Sequence, residues 1–361
     1  MEVLEKARSD EVPWSLVPSV ERLSTHLLPG MSVLITSSPA MDYMVSWGPG
    51  LATIYLPNLH RSNGFLHVLI GHELFHPIVT EFLDRERAKA KPKLHAICQS
   101  HLKKLGFQPD LFFQQRLDDL LNYALQQWEK GIMELMCDMG AASVFGPAAL
   151  WTLSGFAATQ DMNSPPSGQF QFYPPWRMRI RVVNDLLRTK ENAEALLSQL
   201  GTALRGNGQD AHADSLDASF AEEVVAFSPS DLAAEPVPEM RQLTLEVYQL
   251  VEGALPDASD FVIQKASNVP KRWHETLNEI PTLLERLSLH VPPSELLETQ
   301  KQESKAASMT GIVTACWLER LRLEKAGDLD LGSFRRLCRL MLKAIEDSEL
   351  KNNYAEWASI K

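Results

Sequence analysis

Residues 71–79, GHELFHPIV, set two histidines four positions apart, with a glutamate directly after the first, inside an otherwise apolar run. On a helix, His72 and His76 stack on one face about a turn apart, so both imidazoles can reach one cation while Glu73 stays beside it. The pattern predicts a helix over residues 66–83, with Leu66, Leu69, Ile70, Phe75 and Val79 as its apolar contacts and Asn63-Gly64 ahead of it. Pro77 removes a backbone bond and is expected to bend that helix just past His76.

Upstream, 32–36 (SVLIT) and 51–56 (LATIYL) read as short strands separated by a SWGPG turn, so two or three strands are expected beside the motif helix. Residues 1–30 read as a short helix and a second one after Pro18. Downstream, 84–110 is polar and basic and reads as a solvated connector or a helix hairpin. A long helix follows over about 111–145, with Leu117, Leu120, Leu121, Ala124, Trp128 and Leu135 at helical spacing.

Residues 139–160 carry no charge and are long enough to span hydrocarbon. Gly140, Gly146, Pro147 and Gly155 interrupt them and no Lys or Arg flanks them, which favours two core helices broken near Gly146-Pro147. Beyond, 161–175 reads as a loop and 178–187 and 193–200 as helices. Segments 201–215 and 228–238 are poor in apolar residues and are expected to be mobile. Amphipathic helices are expected over 240–251, 273–289, 311–325 and 332–348.

The expected fold is α+β and mostly helical, with a small sheet packed beside an HExxH helix and a helical C-terminal half. The expected division is an N-terminal helical segment (1–29), a metal-binding core (30–200), a partly mobile connector (201–239) and a helical C-terminal domain (240–361).

A chain of 361 residues with 45% apolar and 22% charged side chains fits a globular protein. Its net charge of −11, with no compensating basic stripe, speaks against a nucleic-acid partner. Cys98, Cys137, Cys316 and Cys338 form no CxxC pair and read as reduced, mostly buried thiols. The charged N-terminus lacks a signal-peptide core, so a cytoplasmic location is expected, with no membrane association. No GxGxxG or Walker pattern suggests a nucleotide site.

Two histidines in an apolar helix can also be mere packing, so the site needs a third ligand, and a catalytic zinc needs an open position as well. Glu134, in the segment WEKGIMELMCDMGAA (128–142), is the best candidate, because its neighbours are too apolar for an ordinary exposed face. Asp138 lies one turn further on the same face, suited to accept a hydrogen bond from the non-liganding nitrogen of a histidine. Glu81, His95 and His101 are weaker alternatives: the two histidines fall in the polar stretch, and Glu81 points away on a straight helix.

The order of strand, HExxH helix, long insertion and Glu-x-x-x-Asp helix resembles the gluzincin zinc metallopeptidases, in particular the HtpX and CAAX-prenyl endopeptidase type and its soluble relatives. That family typically adds a His-Pro-Pro/Ser-x-x-x-Arg-Ile segment. Here Tyr173-Pro174-Pro175-Trp176-Arg177-Met178-Arg179-Ile180 stands in register, with Tyr173 at the histidine position. The resemblance covers residues 50–190 and neither the C-terminal half nor the several transmembrane helices of membrane-bound members.

It implies a zinc-dependent endopeptidase acting on a protein or peptide substrate. His72, His76 and Glu134 would bind Zn2+, Glu73 would act as general base, and Asp138 would orient a ligand imidazole. Tyr173 would donate to the developing oxyanion, or simply pack with Phe170, Phe172 and Trp176, and Arg179 would hold the carboxylates. The tyrosine also admits an alternative: a catalytically altered or inactive metallopeptidase-like scaffold that works through protein–protein interaction, with the C-terminal helices meeting the partner.

Overall fold

The computed structural model describes residues 16–39, 42–108, 112–158, 172–190, 193–220, 238–298 and 303–359, with Pro13 and Met162. Helix α1 (Leu16–Leu27) takes Pro18 into its first turn rather than starting after it. That position tolerates proline because its N–H would have no helical partner. The shorter helix expected before it falls outside the described residues.

Strands β1 (Ser32–Ser38), β2 (Met44–Gly48) and β3 (Leu51–Pro57) form one sheet in the order β1-β3-β2. β1 runs parallel to β3 and β2 antiparallel to it. The expected SWGPG turn is therefore mostly strand, and only Pro49-Gly50 turns, with Gly50 at φ 75°. β3 is the buried centre, while β2 is an outer strand and largely exposed.

A 3-10 turn (Gly64–Val68) leads into helix α2 (Leu69–Lys104), which runs well past the expected end at residue 83. Pro77 and Pro92 both lie inside it. Each removes a single ladder bond, and burial explains why the helix continues. Its first turns are enclosed nearly all round, and then Ala90, Leu94, Cys98 and Leu102 recur every four residues as one buried stripe. The polar stretch 84–104 is thus the solvated back of a helix, not a connector.

Helix α3 (Phe113–Phe145) returns antiparallel to α2, its exposed-faced half first and its enclosed half last. The two enclosed halves meet through reciprocal glycines. A Cβ on Gly140 would lie 2.3 Å from the Phe75 ring, and one on Gly71 would lie 2.8 Å from the Phe145 ring. Each ring occupies the space a side chain would need, which brings the two backbones close at the histidine motif. Gly140→Ala is therefore expected to cost about 1–3 kcal/mol by overpacking, read as a lower denaturation midpoint in urea; an unchanged midpoint would contradict this packing.

Gly146, at φ 57°, breaks the uncharged stretch, and helix α4 (Pro147–Ala157) starts immediately after it. Among the described residues no helix is long and apolar enough to cross a membrane. Helix α5 (Trp176–Thr189) follows, then α6 (Ala193–Gly206) and α7 (Asp210–Ser219). These last two occupy most of the segment expected to be mobile. Leu204, Ala213 and Leu216 are buried, and His212 bonds Glu319 at 2.8 Å, so a few well-placed contacts order a sequence poor in apolar residues. The expected loop 161–175 and the segment 228–238 lie largely outside the described residues.

The C-terminal half contains α8 (Pro238–Ala266), α9 (Ile280–Ser288), a hairpin of β4 (Glu295–Glu298) and β5 (Glu303–Ala306), α10 (Met309–Ala326) and α11 (Leu331–Ser359). The hairpin is the one strand pair described in the C-terminal half, which was expected to be helical. Its strands are four residues each and too short to give a period-two signal. These helices share the core of the first half: Phe82 meets Phe261, and Phe65 and Trp151 both meet Trp317. The fold is α+β and mostly helical, with eleven helices and a small three-stranded sheet among the described residues.

Candidate metal centre

The enclosed halves of α2 and α3 bring the motif residues together. His72 Nδ1 donates to Asp138 Oδ1 at 2.8 Å, which leaves its Nε2 facing Glu134 Oε2 at 3.4 Å. His76 lies one turn on, its ring 4.9 Å from that of His72, and Glu73 Oε2 is 3.8 Å from His76 Nε2. Helix α5 delivers Arg179, which donates from Nε to Asp138 Oδ2 at 2.6 Å and from Nη2 to Asp138 Oδ1 at 2.8 Å. The same Nη2 is 3.4 Å from Glu134 Oε2. All of these side chains are buried.

Cys137 was not expected here. The ligand atoms of His72, His76 and Cys137 all lie within 4.8 Å of one another, the one such group among the described residues. Glu134 reaches His72 but is not within that distance of both histidines. Cys137 carries no motif signal, because no second cysteine or histidine stands near it in the chain. The usable signal was its place between Glu134 and Asp138, where positions i, i+3 and i+4 share one helix face.

Without a bound cation the cluster is strongly polarised. Burial works against charge on His72, but its hydrogen bonds to Asp138 and Glu134 outweigh that and hold its pKa up at about 10. Burial also works against charge on Glu134, and here the His72 hydrogen bond and the Arg179 charge prevail, pulling it down to about 2. Asp138 is likewise lowered despite burial, by Arg179 and His72. Burial and the charge on His72 push His76 down to about 4, so it is neutral at pH 7. Burial raises Glu73 to about 7. Burial and the neighbouring carboxylates push the Cys137 thiol well up.

Tyr173 stands at the rim. Burial and Glu134 raise its phenol, and Glu134 also interacts with the hydroxyl directly. Its carbonyl accepts from the Tyr248 hydroxyl at 3.3 Å. Phe172 meets Tyr123 and Trp176 meets Phe156, while Phe170 lies outside the described residues. Trp47 of β2 stacks 6.2 Å from the His76 ring and covers the site from the sheet side. Buried His67 donates from Nε2 to the Arg61 carbonyl and accepts at Nδ1 from the Tyr43 hydroxyl, pinning the turn that leads into α2.

The alternative ligands are remote. Glu81 is exposed and pairs with Lys265 at 2.7 Å. His95 and His101 fall about 28 and 37 Å further along α2 than His76, at about 1.5 Å rise per residue.

The donor set fits a metal ion. Asp138 holds His72 at Nδ1 and so turns Nε2 toward Glu134, where a cation would replace its proton; His76 is neutral and Glu134 is ionised. Glu134 Oε1 is buried with no hydrogen-bond partner, a lone anionic oxygen that a cation would satisfy. The buried group of His72, His76 and Cys137 can hold such an ion. Because His72 binds a proton up to about pH 10, a cation must displace that proton at any lower pH. Divalent-metal affinity should therefore rise at least about tenfold per pH unit from 6 to 8, measured by competition with a chromophoric chelator; a pH-independent affinity would contradict the assignment.

No family model matches the chain, and no curated protein or solved structure was found to match it.

Proposed function

We propose that this chain is a zinc-dependent endopeptidase that hydrolyses peptide bonds in a protein substrate. The observation that carries this reading is the placement of Glu73 beside two helix-mounted histidines, opposite a buried glutamate with an unpartnered oxygen. A site that only held a metal for stability would have no chemical use for that neighbouring carboxylate.

In this reading His72, His76 and Glu134 hold the zinc, which when bound supplies polarisation of a water and of the scissile carbonyl. Glu73 takes the water proton and returns it to the leaving amine. Asp138 keeps the His72 tautomer that leaves Nε2 free, and Arg179 neutralises and positions both Asp138 and Glu134. The Tyr173 hydroxyl, which interacts with Glu134, stabilises the developing oxyanion. The outer strand β2, exposed and beside α2, suits an extended substrate that adds to the sheet.

A second reading keeps the metal and loses turnover, leaving a scaffold whose C-terminal helices meet a partner protein. Burial of His72, Glu73 and Glu134 together favours it, since a peptide and a water must both reach the site. Treating the full-length protein with a chelator and restoring zinc, with an unfolded protein such as casein as substrate, separates the two. Cleavage lost and regained with zinc supports the peptidase; no cleavage by zinc-loaded protein contradicts it.

A further inference from the structure

We propose that Cys137 is itself a metal ligand, a fourth protein donor beside His72, His76 and Glu134, which makes the centre closed in this conformation. The proposal rests on the reading that this site binds zinc, and it adds how the ion is held at rest.

Three observations carry it. First, the Cys137 sulfur belongs to the mutually close group of ligand atoms, all within 4.8 Å. Second, Cys137 is fully buried, as are the two histidines it faces. Third, Cys137 shares a helix face with Glu134 and Asp138, and Glu134, whose Oε1 is buried and unpartnered, stands 3.4 Å from His72 Nε2, so α3 offers a second donor at the same histidine.

A sulfur among two imidazoles and a carboxylate selects a borderline-soft ion such as Zn2+ over Mg2+, Ca2+ or Mn2+, which prefer oxygen. Binding breaks the S–H bond and passes that proton to solvent as the sulfur–metal bond forms. Four protein donors leave no open position, which is the hallmark of a structural rather than a catalytic zinc site. The burial of the site and the Trp47 ring over His76 agree with a sealed resting state. Cleavage then requires Cys137 to leave the metal, which gives this chain a built-in restraint that an alanine at the same position would lack.

The test uses the full-length protein stripped with a chelator and titrated with Co2+. Wild type is expected to bind one Co2+ per chain with a near-ultraviolet thiolate-to-cobalt charge-transfer band. C137A and the more conservative C137S, each checked for folding by circular dichroism, are expected to bind Co2+ without that band. Their zinc affinity should fall by at least the about 10- to 100-fold that loss of an outer-shell partner costs. A wild-type cobalt complex with no such band, or a band that survives in C137A and C137S, overturns the proposal and leaves the zinc reading standing. Folded wild type that binds neither Co2+ nor Zn2+ overturns both. A band that depends on Cys137 in a protein without peptidase activity supports the proposal while the peptidase reading fails.

Discussion

Replacing Glu73 with glutamine is expected to reduce peptide cleavage by about 10²- to 10⁴-fold, the range for loss of a general acid–base, with zinc binding retained. The substitution keeps the shape of the side chain and removes only its capacity to carry a proton. In the proposed mechanism that proton is carried by Glu73, whose carboxyl burial raises to about 7, whereas Glu134 is pulled down to about 2. Its carboxylate lies 3.8 Å from His76, beside the donors. Cleavage and zinc content measured on the same preparations check this. Undiminished biological function in E73Q would favour the scaffold.

Replacing Arg179 with methionine is expected to destabilise the metal-free protein by about 3–5 kcal/mol, the cost of breaking a buried ion pair and leaving charge uncompensated. Arg179 is buried and forms two hydrogen bonds to Asp138, with Glu134 3.4 Å away. Methionine fills similar volume but leaves Asp138 and Glu134 facing each other's field with only His72 between them. Urea unfolding in the presence of a chelator reads the loss. Adding Asp138→Asn to R179M should recover part of it, because the second change removes one stranded charge. A loss below about 1 kcal/mol in R179M, the size of an exposed pair, would contradict the description of a buried carboxylate clamp.

Much of the site was legible because its residues obey helical spacing. His72 and His76 are four apart, as are Glu134 and Asp138, and each pair predicts a common face whichever helix partner it meets. That the two faces oppose one another depends on Gly71 and Gly140 admitting Phe145 and Phe75, a tertiary fit that no local pattern displays. Cys137 gives no local signal for a related reason: the two histidines it faces belong to another helix. The break at Gly146-Pro147 was readable from backbone chemistry alone.

The helix boundaries were less so. Proline rules suggested a short α2, yet packing of Ala90, Leu94, Cys98 and Leu102 carries the helix through two prolines. Sparse apolar content suggested a mobile 201–215, yet Leu204, Ala213 and the His212–Glu319 contact hold it to the core. The short β4-β5 hairpin left no periodic trace. Arg179 was found by the register of its motif, whereas its double hydrogen bond to Asp138 emerges only from the crossing of α5 over α3.

The most direct test of the metal centre is the zinc dissociation constant of wild type and Glu134→Ala, measured side by side by chelator competition with total zinc counted per chain. Wild type should carry about one zinc, as expected for a single such cluster. E134A should bind it more weakly by over about 10- to 100-fold, since a ligand counts for more than its outer-shell support. Equal affinity in the two proteins would contradict the placement of Glu134 in the site.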